Sequence, residues 1–182
     1  MGSLRQVAVF LSLAVFVAAF ALAISGLTTD YWVDTEHVTR NNAMSALSFV
    51  HSGLFYGERQ LDYGQEIKLE PFSVYDEIHK ETSFMNRTLW ILCIFFIALG
   101  ILWVFVGLLI SLMNSVKMND ETIIGPSGIY VWSILALLSF LAAIGIFVVQ
   151  FFTSIMSNVL LPIHLNAGFS STDQARLVNK EL

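Results

Sequence analysis

Apolar and polar positions are segregated along this chain rather than interleaved. Residues 6–29, 88–116 and 122–172 contain no Asp, Glu, Lys or Arg. A hydrocarbon core about 30 Å thick is crossed by about 20 residues of helix, so each stretch is long enough to span it. The pattern predicts transmembrane helices at about residues 7–27, 89–113 and 129–152. Tyr31 and Trp32, Trp90, and Tyr130 and Trp132 lie near span ends, where amphipathic rings anchor at the interface. Gly125-Pro126-Ser127-Gly128 breaks the chain before the third span, with proline suited to a first helical position. Leu160-Leu161-Pro162-Ile163 is too short, and too close to the third span, to cross again. A cleaved leader is the competing reading of the first span. Its apolar run of about 21 residues exceeds the 7–15 of a leader core, so a retained helix is expected.

Between the first two spans, residues 30–87 alternate short apolar and polar groups. Tyr31-Trp32-Val33, Leu47-Ser48-Phe49-Val50, Gly53-Leu54-Phe55-Tyr56 and Ile67-Lys68-Leu69 read as short strands, with Gly53, Gly57, Gly64 and Pro71 as turn punctuation. A helix is expected within Phe72 to Lys80, and residues 164–182 read as a polar, mobile tail. The fold class expected is an all-α membrane protein. It is a single membrane domain over 1–182, a three-helix bundle with a mixed loop holding a small β-sheet.

Composition narrows the function. Of the 182 residues 13% are charged, where a soluble domain carries about 25%. The net charge of −5 comes from residues 30–87, which hold ten acidic and five basic side chains. No polybasic cluster offers itself to nucleic acid. Cys93 stands alone inside a span, so no intrachain disulfide can form; it reads as a small apolar residue, with palmitoylation the lesser alternative. His37, His51 and His79 share the loop with the carboxylates, but their spacing matches no metal signature. A solvated acidic surface is the expected reading, and no metal or other cofactor is implied. No phosphate loop, activated nucleophile or carboxylate pair within a span is present, so a non-enzyme is expected. Gln6 stands where myristoylation requires Ser or Thr.

Small residues recur at helical spacing: Ala14, Ala18, Ala21 and Ser25 on the first span, Gly100 and Gly107 on the second, Ala136 and Ala143 on the third. Such faces let membrane helices approach closely, and packing within the bundle is expected over a dimer face, although a homo-oligomer stays open. Asn114, Gln150 and Asn158 sit at or near helix ends. No ionisable group occupies a midspan position, as a channel or proton relay would require. Basic residues flank both sides of the spans and decide orientation poorly, tilting it slightly toward a cytoplasmic loop. The sequon Asn86-Arg87-Thr88 argues instead for an external loop, with Asn86 a candidate N-glycosylation site close to the membrane.

The residues Trp32, Gly53-Leu54-Phe55-Tyr56-Gly57-Glu58 and Gly125-Pro126-Ser127-Gly128-Ile129-Tyr130-Val131-Trp132 resemble the motifs of the clarins, a family of claudin-like tetraspan membrane proteins. The likeness covers about residues 5–165, and the lack of loop cysteines is similar to a cysteine-poor branch. It implies structural roles for Trp32, Gly53, Leu54, Phe55, Gly57, Glu58, Gly125, Pro126, Gly128, Tyr130 and Trp132. It also implies a cytoplasmic N terminus, an extracellular loop 30–87 and a cytoplasmic hairpin 114–128. The implied role is a non-catalytic organiser of plasma-membrane, junctional or synaptic assemblies in sensory cells, with the lipid bilayer, membrane proteins and the cytoskeleton as partners. The alternative is an auxiliary subunit of an ion channel. The family pattern has a fourth span where this sequence ends, so a truncated or spliced form is expected, less stable and retained in the endoplasmic reticulum.

Overall fold

The structure is a computed structural model; it describes every residue except 1, 36–37, 41–42, 45–47, 81–83, 117–125, 158 and 172–182. Three long helices carry the apolar stretches: α1 (Gly2–Thr28), α3 (Arg87–Val116) and α4 (Pro126–Gln150), the last continued by a π-helical turn over Phe151–Ile155. All three are long and apolar enough to cross a membrane. They overrun the expected limits by a few residues. Between α1 and α3 lie β1 (Val33–Thr35), β2 (Thr39–Arg40), β3 (Ala43–Met44), β4 (Phe49–Ser52), β5 (Tyr56–Asp62), β6 (Ile67–Ser73) and the short helix α2 (Val74–Ile78). After the π turn come α5 (Pro162–Asn166) and β7 (Phe169–Ser170). The contacts divide the chain into two compact units, residues 1–27 with 92–146, and residues 28–91 with 147–182.

The first unit is built by helix packing. Along α3 the buried positions include Cys93, Ile97, Gly100, Val104, Gly107, Ser111 and Asn114, separated by alternating steps of four and three, with Trp90 and Ile110 buried beside them. That 3.5-residue repeat keeps one seam turned toward its neighbours, as in left-handed bundles. Small residues on the seam admit large partners. A Cβ on Gly107 would run into the ring of Phe16 from α1, and one on Gly100 would meet the ring of Phe140 from α4. Phe16 in turn packs with Val104, Ile110, Ile129 and Ala136, flanked by Phe20, Trp103 and Trp132. Cys93 lies on the same seam, its Sγ 3.7 Å from the Ala143 carbonyl oxygen.

The first helix corrects one expectation. Ala14, Ala18, Ala21 and Ser25 are exposed, and α1 packs instead through Val9, Phe16, Ala19 and Phe20, on the other side of the helix. Where α1 meets α3 the small residue is Gly107 of α3, and Phe16 of α1 supplies the ring that fills the space. Apolar side chains such as Val7, Leu11, Leu22, Leu102, Leu137 and Leu141 remain exposed, as helices facing hydrocarbon require.

The second unit holds a four-stranded antiparallel sheet in the order β1-β4-β5-β6 and a small sheet in the order β3-β2-β7. Burial alternates along β5, with Gly57, Arg59 and Leu61 turned inward, the period of a strand with one face in the core. Gly57 and Pro71 lie within strands rather than at turns. Pro71 is tolerated because β6 is an edge strand, where a missing N–H breaks no ladder. The expected helix over 72–80 contracts to Val74–Ile78, since Phe72 and Ser73 continue the ladder with β5. Residues 164–171 are no loose tail: His164 is buried in α5, and Phe169 and Ser170 pair with Arg40 and Thr39. Residues 172–182 lie outside the described residues.

Replacing Gly107 with Val should displace the Phe16 ring and destabilise the helical unit by about 1–3 kcal/mol, the usual penalty of overpacking. Gly145→Ala, where an added Cβ meets nothing within 4 Å, is the matched control. Thermal unfolding in mild detergent should show a lowered midpoint for the first variant alone.

Candidate functional site

The motif residues of the loop converge on one turn. Gly53, Leu54 and Phe55 form the connection between β4 and β5 rather than a strand, closed by a hydrogen bond from Gly53 N to Tyr56 O of 2.7 Å. Trp32 N donates to Ser52 O at 3.0 Å, which lays the chain leaving α1 beside this turn. The Trp32 ring meets Phe147 edge to face at 4.9 Å. Glycine is required at 53 because an added Cβ would run into the Thr29 carbonyl oxygen and lie 2.8 Å from Asp30 Cα, backbone atoms that cannot turn aside. Leu54 is buried, and its carbonyl accepts a 2.9 Å hydrogen bond from Trp90 Nε1. Val74 N donates to Phe55 O at 2.8 Å, which starts α2. Behind Gly57 the Phe72 ring occupies the place of a side chain. Glu58 pairs with His51 at 3.4 Å.

The other motif lies at the start of α4. Pro126 is its first residue, Gly128 and Ile129 are buried, and Tyr130 is exposed. Trp132 packs its ring 5.5 Å from Trp103. Gly125 lies outside the described residues. Asn86 caps α3, its Oδ1 accepting from Thr88 N at 3.0 Å and Leu89 N at 3.4 Å. The side chain is exposed, and the Nδ2 atom that would carry a glycan is left out of this cap. His51 stacks on Tyr31 and Phe49, and His79 meets the Tyr75 carbonyl at 2.7 Å. His37 lies outside the described residues, as does Asn158. Among the described residues no three His, Cys, Asp or Glu side chains are grouped to hold a metal.

A buried charged cluster takes in one carboxylate of the loop, Glu77, while its other described carboxylates are exposed or half-buried, as a solvated acidic surface requires. Arg59 on β5, Glu77 on α2 and His164 on α5 are 2%, 3% and 4% exposed. Arg59 Nη2 lies 3.0 Å from Glu77 Oε1, close enough for strong attraction but out of line for a hydrogen bond. Arg59 Nη1 is 3.1 Å from His164 Nε2. Since guanidinium only donates, His164 accepts at Nε2 and carries its proton at Nδ1. The guanidinium stacks over Phe72 at 4.2 Å. Lys80 reaches Glu77 at 3.5 Å, and Glu70 lies 3.7 Å from His164 Nε2. Burial, then the charge of Arg59, hold the His164 imidazole below its usual 6.5, against the pull of Glu70 and Glu77. On the rim, hydrogen bonding to Lys68 lowers the Glu70 carboxyl.

Nothing in the sequence around these residues announces the cluster. Arg59 and His164 are 105 positions apart, and each occurs in an otherwise ordinary polar or apolar context. A weak signal was available: Arg59 stands at an inward position of β5, between Gly57 and Leu61. What the arrangement does chemically is hold three segments together, β5 to α2 by opposite charge and β5 to α5 by a hydrogen bond from the guanidinium to a neutral imidazole.

Two outcomes follow. Arg59→Ala or Glu77→Ala alone should destabilise the protein by about 3–5 kcal/mol, because each leaves a buried charge without its partner. The apolar pair Arg59→Met with Glu77→Leu should recover most of that loss, read as the unfolding midpoint of purified protein. The imidazole gives a pH dependence. Its folded pKa lies below the unfolded one, so the stability it contributes is present above about pH 6.5 and lost as pH falls below that value. Melting temperatures compared between about pH 7.5 and about pH 5.5 should fall less for His164→Gln than for the native chain.

The family model described as Clarin-2-like matches residues 1–159. Clarin-3 of Homo sapiens is 25% identical over 119 residues, which cover 64% of this chain and 51% of that protein. The chain thus spans about half the length of this curated relative. The match runs from α1 through the Gly53 turn and the whole of α4, so it takes in every described motif residue. This multi-pass membrane protein belongs to the clarin family.

Proposed function

We propose that the chain is a non-catalytic organiser of membrane assemblies, acting through lateral helix contacts and through the folded surface of its second unit. The observation that carries this reading is how the motif residues are used. Trp32, Gly53, Leu54 and Gly57 serve close packing and main-chain hydrogen bonds, so what they preserve is a shape. Clarin membership supports the same class, a family of membrane proteins without known catalysis. In this reading residues 30–87 face outside the cell, the connection from α3 to α4 faces the cytoplasm, and Asn86 carries a glycan; the plasma membrane is the family's place, and a form held back in the endoplasmic reticulum keeps the same orientation. The partners are other membrane, junctional or cytoskeleton-linked proteins.

A single set of measurements tests orientation and role. An epitope inserted beside Gln65, in the turn that Tyr63 N closes onto Glu66 O at 2.9 Å, should be stained on unpermeabilised cells. Endoglycosidase should shift the native band but not that of Thr88→Ala, which loses the sequon and keeps the main-chain N–H that Asn86 caps. Staining only after permeabilisation, with no endoglycosidase shift, would reverse the orientation. Co-purification from native membranes should then recover several substoichiometric membrane proteins. One stoichiometric channel would instead favour an auxiliary subunit.

A further inference from the structure

We propose that the second unit holds a seat for one phospholipid with a primary-ammonium headgroup, in the groove between β1 and the π turn that ends α4. The groove encloses about 530 Å³ and is lined by Phe151, Phe152, Ile155 and Met156 on one side and by Val33 and Asp34 on the other. Sites for small molecules commonly fall between about 300 and 1,000 Å³. Phe151, Phe152 and Ile155 of its apolar wall belong to the helical stretch Gly128–Ile155, which is apolar enough to cross a membrane, and Met156 follows directly. Phe152 and Met156 are 65% and 62% exposed there. Side chains of this kind in such a stretch face acyl chains rather than water, so the occupant is a lipid by location.

The wall is shaped by the π turn. Met156 N bonds to Phe151 O, five residues back, at 2.8 Å, which widens the last turn of the helix. Single π turns of this kind recur at functional sites.

The headgroup follows from the polar end. Asp34 is the charged side chain among the described lining residues, and it is exposed. The hydroxyl of Ser157, also on the lining, donates to Ser154 O at 2.7 Å, and Ser171 Oγ accepts from Val159 N at 3.1 Å. With its hydrogen committed, Ser157 presents acceptor lone pairs to a groove that the Asp34 carboxylate also lines. Acceptors and a negative charge select a donor that is positive. The ammonium of an ethanolamine headgroup meets both conditions, whereas a glycerol headgroup offers hydroxyl donors but no positive charge.

The test reconstitutes the full chain in nanodiscs containing phosphatidylethanolamine and phosphatidylglycerol, each with a photoactivatable diazirine in one acyl chain. Mass spectrometry then locates the adducts. Adducts on residues 151–156 should favour the ethanolamine lipid about fivefold, the scale of one partly screened charge pair. Asp34→Asn should bring the ratio to parity, and Asp34→Glu should restore it. Ile134 and Leu138, exposed on α4, report bulk lipid and should show no headgroup preference. Equal labelling by both lipids in the native chain would overturn the proposal. So would a preference that survives Asp34→Asn, or one equally strong at Ile134 and Leu138.

Discussion

A guanidinium buried on a central strand is the constraint around which the second unit is arranged. The Arg59 guanidinium loses its hydration on β5, so the fold must bring it a counter-charge and a surface to lie on. Glu77 supplies the charge from α2, Phe72 supplies the face from β6, and His164 supplies an acceptor from α5. Each partner comes from a different element, and two of those elements are only five residues long. Helices of that length are unstable alone. They persist here because an unpaired charge would otherwise remain inside. The arrangement is incomplete, since Arg59 Nε, Glu77 Oε2 and His164 Nδ1 have no hydrogen-bond partner among the described residues. A pair of this kind does less for net stability than well-packed apolar residues would. What it does require is a particular docking, in which α2 brings the carboxylate and α5 the acceptor to one guanidinium.

The same logic explains why the motif residues say much about shape and little about chemistry. Gly53 is held by the close passage of Thr29 and Asp30, and Trp90 by a carbonyl at Leu54. Substitution at these points disturbs the path of the chain whatever the protein binds. Surfaces that contact partners face no such internal demand. Clarin likeness therefore identifies the frame with assurance, and leaves the partner-facing positions to be found by their chemistry.

How much could be read beforehand follows from the range of the forces involved. The spans were legible because the penalty for charge in hydrocarbon acts on every residue separately and marks the sequence directly. The close approach at Gly107 was legible as a spacing, but the burying face of α1 was not. Ala14, Ala18, Ala21 and Ser25 form a regular stripe, yet Phe16 and Phe20 bury more surface against α3 and α4. In the loop, the apolar cluster Gly53-Leu54-Phe55 reads locally as a strand, and only the closure of Gly53 onto Tyr56 makes it a turn. Pro71 and Gly57 read as breaks, and the edge position of β6 and the ring of Phe72 are what excuse them. The cluster on Arg59 was least legible, since its members come together only through tertiary structure.

That long-range closure constrains how the protein can be threaded through a membrane. Thr39 and Ser170 share a sheet across 131 positions, and Arg59 meets His164 across 105. Between the loop and the segment after the π turn lie α3 and α4, each able to cross once. Two crossings return the chain to the side it left, so the loop and residues 159–171 can fold together whichever side that is. A single crossing between them would part β2 from β7 and leave Arg59 without its imidazole partner. Pairing also has to wait for α4, because closing a loop of more than a hundred residues before its ends share a compartment is not available to the chain. Helix insertion must therefore precede completion of the second unit, and the unit folds as a consequence of correct threading rather than as a cause of it.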